Sequence, residues 1–315
     1  MNRAELLFKV VDLIYHRSQN CILYDDVIAK TNISYGEDKL NKLDVYYCDS
    51  SEKKPVLFNI HGGGFVAGDK KHRVSIGHIF AKKGWFVVNI NYRLSPKNPF
   101  PAPLQDCFQA LNHLLNLKDE FNLDLDKVVL TGDSSGGYFA VEMIAALKNS
   151  ELRNRLSLPE STISPAGVMG LFGPYDLLTA VNSKLPFGMV RSVIESFLGI
   201  KTDKTYECLK NYKYITDMAP INHVSPDWCP VLLAYAEQDF FCAGHAEMLF
   251  NKLKETGIYV TETHSSEYKD NHCYHLSYKK ERSIAAFQKF FEFLEMIRAG
   301  GPTKQQMTDN LNESN

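Results

Sequence analysis

The 315-residue sequence predicts an α/β fold with a doubly wound, mostly parallel sheet, on three observations. Short β-rich runs alternate with segments of helical period along most of the chain. The runs VLFNI, FVVNI and VLLAYA lack the apolar–polar alternation of a half-buried strand, as expected of strands covered on both faces. The chain is also long enough to bury a large core, and α/β domains reach this size as single units. Such a sheet places a site beyond the carboxyl ends of its strands.

In chain order, MNRAELLFKVVDLIYHR comes first, with Glu5, Lys9 and Asp12 interrupting every apolar stretch. That excludes a signal peptide core or a membrane span and predicts an amphipathic helix. Its stripe of Leu6, Leu7, Val10, Val11, Leu13 and Ile14 is expected to pack against the protein itself. Strands are predicted at Leu43–Tyr47, Val56–Ile60, Phe86–Asn91, Val128–Thr131, Val168–Phe172, Val231–Ala236 and Tyr259–His264. Helices are predicted near Val74–Lys83, Pro103–Leu117, Gly136–Lys148, Ala243–Glu255 and Glu281–Arg298.

Between the strands ending near Phe172 and starting at Val231 the connection far exceeds the usual few residues. Helical patterns at Gly188–Leu198 and Thr205–Tyr212, with apolar Leu185, Phe187, Met189 and Phe197, predict a lid over the site. The expected organisation is a cap region over 1–40, a core over 41–174 and 226–298, and a cap insertion over 175–225. The segment 299–315 is poor in apolar residues and is expected to be disordered.

Composition narrows the function. With 35 basic and 37 acidic residues and a net charge of −2, there is no electrostatic reason to expect nucleic acid or an anionic membrane as partner. Seven cysteines, at 21, 48, 107, 208, 229, 242 and 273, form an odd set without a C-x-x-C pair. A reducing, cytoplasmic setting with free thiols is expected.

The chemistry concentrates in two motifs. In VVLTGDSSGG, G-x-S-x-G stands at the end of a buried strand and just before an apolar helix. Small neighbours allow the sharp strand-to-helix turn that projects Ser134 outward as a nucleophile, next to a helix amino terminus that favours anions. The second motif is His61-Gly62-Gly63-Gly64-Phe65, directly after the strand Val56–Ile60. Consecutive glycines there let backbone N–H groups converge on an oxyanion. His61, with His72 and His78 nearby, matches no metal-ligand spacing.

In this order, HGGGF, NYRLSPKNPFPAPLQD and GDSSGG resemble the hormone-sensitive-lipase-like family of α/β-hydrolases, which includes small bacterial carboxylesterases and arylacetamide deacetylases. The resemblance covers about residues 40 to 298. It implies an α/β-hydrolase core with a helical cap, and Ser134 as the nucleophile. It further implies oxyanion donors at Gly63, Gly64 and the N–H of Ser135.

The remaining partners must follow in the order serine, acid, histidine. Asp239, after the strand in PVLLAYAEQD, matches the family's acid, with Glu237 as the local rival. In the loop EYKDNHCYH, His272 matches the family's first histidine, leaving His275 and His264 as alternatives. Cys273 stands where the family carries glycine, Ser135 where alanine is commoner, and Tyr138 where a smaller or amide side chain is usual.

The resemblance thus implies a serine carboxylesterase for short- to medium-chain acyl esters of small molecules. The serine mechanism it implies needs no metal or cofactor, and the charge-interrupted amino terminus predicts no stable membrane insertion. An amide or peptide hydrolase, an acyltransferase and a non-catalytic small-ligand receptor share the fold and remain alternatives.

Overall fold

The computed structural model describes residues 2–181 and 188–312. One sheet of eight strands runs in the order β1-β2-β4-β3-β5-β6-β7-β8. The strands are β1 (Ile28–Ser34), β2 (Lys42–Tyr47), β3 (Lys54–Ile60), β4 (Phe86–Ile90), β5 (Leu123–Asp133), β6 (Gly167–Leu171), β7 (Val231–Ala236) and β8 (Val260–Ser265). Strands β3 to β8 pair in parallel, while β1 with β2 and β2 with β4 are antiparallel.

The helices are α1 (Arg3–Gln19), α2 (Val74–Ala81), α3 (Ala102–Phe121), α4 (Ser135–Lys148) and α5 (Ser150–Arg155). They continue as α6 (Leu177–Ala180), α7 (Met189–Leu198), α8 (His245–Glu255), α9 (Glu281–Arg298) and α10 (Lys304–Asn312).

Strand periodicity divides the core into two layers. Val56, Phe58, Val128, Leu130, Val231 and Leu233 pack on one face with residues of α3, α4 and α8. The intervening Leu57, Val87, Val129 and Leu232 pack on the other with Ile76 and Phe80 of α2 and Phe287, Phe290 and Phe293 of α9. Both faces are covered, which is why these strands read as continuous apolar runs. The doubly wound α/β expectation therefore holds.

Three expectations differ from the structure. β1 was not foreseen: six of its seven residues are exposed and the other is half-buried, so an edge strand left no apolar signature. It takes part of the 1–40 stretch into the sheet rather than the cap. Second, 299–315 is not uniformly without structure. α10 covers Lys304–Asn312, and its Asn310 side chain accepts from Val260 N and donates to Val260 O. A single asparagine paired with a strand end does what the composition could not announce.

Third, α1 leaves most of its expected apolar stripe uncovered, with only Leu7 and Val11 half-buried. Ala4 and Phe8 are its buried residues, whereas Leu6, Val10, Leu13 and Ile14 are exposed. Ala4 and Phe8 pack with Val66 and Ala67, and polar bonds fasten the helix at both ends. Asn2 Nδ2 donates to Ser196 Oγ at 2.8 Å and Ala4 N to Ser192 Oγ at 3.2 Å, both on α7. At the other end Gln19 Oε1 accepts from Arg73 Nη1 at 3.0 Å. Of the apolar residues expected in the insertion, Phe197 is buried and Met189 half-buried; Leu185 and Phe187 lie outside the described residues.

Candidate active site

Ser134 sits between β5 and α4 with φ 54° and ψ −121°, a backbone conformation costly for any residue with a Cβ. The turn is held from both sides: Ser134 N donates to Leu171 O at 2.8 Å, and Tyr138 N donates to Ser134 O at 3.0 Å. It closes this tightly because residue 136 is glycine; a Cβ there would fall on the carbonyl oxygen of Ile60.

Asp239 follows β7 and His272 follows β8, and the two loops meet over this turn. His272 Nδ1 lies 2.7 Å from Asp239 Oδ2 and its Nε2 lies 2.9 Å from Ser134 Oγ. With Nδ1–H donated to the carboxylate, Nε2 is left to accept from the serine hydroxyl. Burial of the ring pulls its pKa down, but the charge of Asp239 and its hydrogen bond outweigh this, and it ends well above the ordinary histidine value. Burial pushes Asp239 the other way; the partner His272 and the N–H groups of Phe241 and Cys242 outweigh that and hold its carboxyl low.

The rivals lie elsewhere. His264 faces Glu237 at 3.4 Å, both half exposed. His275 is buried, stacked on Phe172 with centroids 5.2 Å apart, and burial depresses its pKa to about 3. It supports the loop from behind, with its carbonyl accepting from Ser283 Oγ at 2.5 Å.

Asn271, which the sequence reading passed over, latches the two loops together. Its Oδ1 accepts from Phe240 N and His272 N, and its Nδ2 donates to Gln238 O at 2.7 Å. Its position directly before the histidine was the available signal. Cys273 adopts φ 55°, the left-handed region that glycine enters freely and other residues enter at about 1 kcal/mol or more. The loop thus keeps the turn for which the family uses glycine.

On the opposite side lies the turn after β3. Gly64 has φ 59°, and a Cβ there would overlap the ring of Phe8. Among the described residues the N–H groups of Gly63 and Gly64 donate to nothing, whereas Gly63 O accepts from Val66 N and Ala67 N. Ser135 is the first residue of α4, so its N–H has no helical acceptor. His61 shapes the same turn: Nδ1–H donates to Gly62 O at 2.8 Å and the ring stacks on Tyr92 at 4.4 Å. Burial lowers its pKa to about 4, so it serves as a neutral wedge.

A cavity opens over Ser134, lined by Phe8, Phe65, Leu177, Val193, Ile194 and Phe241 among others. Its walls combine α1, α7 and the core. Tyr138 is not in it; its hydroxyl donates to Met218 O at 3.0 Å, and it packs edge-on against Phe65 and Phe197.

Asp239, Cys242 and His272 offer three donor atoms within 4.8 Å. They fit a cation poorly. The carboxylate already accepts from His272 and from the N–H groups of Phe241 and Cys242, and burial pushes the Cys242 thiol up, keeping it protonated.

Beneath the site runs a buried ion pair that the sequence did not reveal. Arg73 Nε and Nη2 reach Asp133 Oδ1 and Oδ2 at 2.6 and 2.5 Å.

Known proteins resemble the chain at both levels. The BD-FAE family pattern matches residues 43–253. A protein named "Probable carboxylic ester hydrolase LipM", from Mycobacterium tuberculosis, is 29% identical over 223 residues, which cover 69% of this chain and 49% of that protein. Another, from Arabidopsis thaliana, is named "Probable isoprenylcysteine alpha-carbonyl methylesterase ICMEL1". It is 26% identical over 227 residues, covering 70% of this chain and 46% of its own. The chain thus spans about half the length of these relatives.

Among solved structures, esterase B from Lactobacillus rhamnosis superposes with a TM-score of 0.80 at 18% identity, covering 99% of this chain and 96% of that one. A bacterial heroin esterase gives 0.74 at 20% identity, covering 96% and 93%. At such identities the likeness is one of fold. The family match runs from β2 into α8, across the sheet that carries Ser134 and Asp239, and the chain belongs to the BD-FAE family, within the hormone-sensitive-lipase-like α/β-hydrolases.

Proposed function

We propose that the chain is a serine carboxylesterase acting on short- to medium-chain acyl esters, with Ser134 as nucleophile, His272 as base and Asp239 as the orienting acid. The observation that carries this reading is the unbroken hydrogen-bonded line Ser134–His272–Asp239, at 2.9 and 2.7 Å, beneath an apolar cavity. The names of the relatives from Mycobacterium tuberculosis and Arabidopsis thaliana, both ester hydrolases, support the reaction class.

Ser134 Oγ bonds to the acyl carbon as its proton passes to His272 Nε2, and the carbonyl electron pair moves onto oxygen. Asp239 stabilises the imidazolium that forms. The N–H groups of Gly63, Gly64 and Ser135 receive the oxyanion, each donor worth about 3 kcal/mol of barrier. Collapse expels the alcohol, protonated by His272. Water, deprotonated by the same imidazole, then releases the acid and restores the serine.

The test is hydrolysis of p-nitrophenyl esters of increasing acyl length by the wild-type chain and by Ser134→Ala. The expected result is turnover that Ser134→Ala lowers by about a thousandfold or more. Equal activity in the variant, or none in the wild type on any ester, overturns the proposal. Turnover of anilides in place of esters would assign an amide hydrolase.

A further inference from the structure

Four apolar residues of α1 face solvent, and what surrounds them suggests what they meet. Leu6, Val10, Leu13 and Ile14 are 50%, 43%, 79% and 65% exposed. Their spacing of four, three and one residues sets them along one face of the helix. Lys9 and Arg17, also exposed, border that face.

Both carboxylates of the helix are withheld from it. Glu5 folds back to accept from Asn2 N at 2.7 Å. Asp12 points inward, 3.9 Å from His72 Nε2. The polar bonds to Ser192, Ser196 and Arg73 hold the helix in this orientation. An apolar face edged by cations, with the acids turned away, is the make-up of a helix that lies in a lipid interface.

We propose that α1 docks the protein reversibly on an anionic lipid surface, with Leu6, Val10, Leu13 and Ile14 entering the acyl boundary and Lys9 and Arg17 meeting lipid phosphates. Charge complementarity favours lipid over a second copy. Pairing two copies through this face would offer Lys9 and Arg17 no carboxylate from α1, whereas a bilayer offers anions along its whole plane. The attachment is peripheral, since among the described residues no helix is long and apolar enough to cross a membrane. Phe8, on the opposite side of the same helix, lines the cavity over Ser134, so docking brings that cavity close to the lipid.

The experiment is co-sedimentation of the full chain with phosphatidylcholine vesicles, with and without phosphatidylglycerol. Binding is expected to the anionic vesicles and should weaken as salt rises. The double variant Leu13→Ser/Ile14→Ser should lower partitioning by about tenfold or more. Lys9→Gln and Arg17→Gln should each lower it about fivefold on anionic vesicles and leave phosphatidylcholine binding unchanged. Unchanged circular dichroism and unchanged hydrolysis of a soluble ester show that the variants are folded.

Two results overturn the proposal outright: wild-type protein that stays in the supernatant with both vesicles, or a Leu13→Ser/Ile14→Ser variant that binds as well as wild type. A dimer in light scattering that this variant splits would assign the face to a second copy and overturn it equally.

Discussion

Arg73 grips Asp133, the residue immediately before Ser134, with two hydrogen bonds of 2.6 and 2.5 Å in the protein interior. Burial pushes the Asp133 carboxyl upward, but the guanidinium outweighs it and keeps the group ionised. The same Arg73 donates to Gln19 at the end of α1, so one side chain links that helix to the turn that carries Ser134.

Removing one partner of a buried pair leaves an uncompensated charge, at a cost of about 3–5 kcal/mol. Arg73→Met should therefore lower the denaturation midpoint sharply, and Asp133→Asn likewise. The double variant should be less destabilised than the sum of the two. A double-mutant cycle by urea unfolding measures the coupling; additive losses would show that the two groups act independently.

His272 and His275 should separate cleanly in kinetics. His272→Ala is expected to remove ester turnover, whereas His275→Ala, which alters only the support behind the loop, should retain a substantial fraction. Because Asp239 holds the His272 pKa above the ordinary value and the base must be neutral, kcat/KM should rise with pH through a limb alkaline of about 6.5. Asp239→Asn should move that limb to lower pH and cut kcat by about 10⁴-fold. A limb that does not move would remove Asp239 from its role.

Stability should fall in mild acid. Burial lowers the pKa values of His61, His72 and His275 to about 4, about 4 and about 3, against about 6.5 in an unfolded chain. Between about pH 6.5 and 4 the unfolded state binds protons that the folded state refuses, so stability rises with pH across that window and is lost on acidification. His272 has the opposite sign: its raised pKa adds stability that is present below about pH 6.5 and lost as pH climbs through its folded value. Thermal melts from pH 7 to pH 4 check this. His275→Phe should make the acid-side decline shallower.

The cavity predicts acyl selectivity. Val193 lines it from α7, so Val193→Phe should fill part of the space, shift the preferred p-nitrophenyl ester to a shorter acyl chain and spare the acetyl ester. An unchanged length profile would place the acyl chain elsewhere.

The sheet and the candidate site were legible in the sequence to different depths. Strands covered on both faces announce themselves as apolar runs, and β7 was read at its observed bounds. The Ser134 turn was legible because its geometry demands small residues at fixed spacing. Choosing between His272 and His275 rested on the family resemblance, since two histidines three apart look alike until the loop path is known. Arg73 acts through Asp133, sixty residues away in sequence, which no local pattern encodes, and Asn271 offers only its place beside His272, which does not reveal the bonds to Phe240 and Gln238. The orientation of α1 was missed because periodicity reveals an apolar stripe but not which side of the helix is fastened down.

The sheet also ends differently at its two margins. β1 is open to water, with Lys30 paired to Glu120 across its side. At β8 the Asn310 side chain already occupies the peptide group of Val260, where an intruding strand would begin to pair. An unguarded strand margin is a template for intermolecular β-pairing. α10 thus acts as a small safeguard of colloidal behaviour, and preparations trimmed behind α9 would be expected to precipitate more readily while keeping the Ser134–His272–Asp239 arrangement intact.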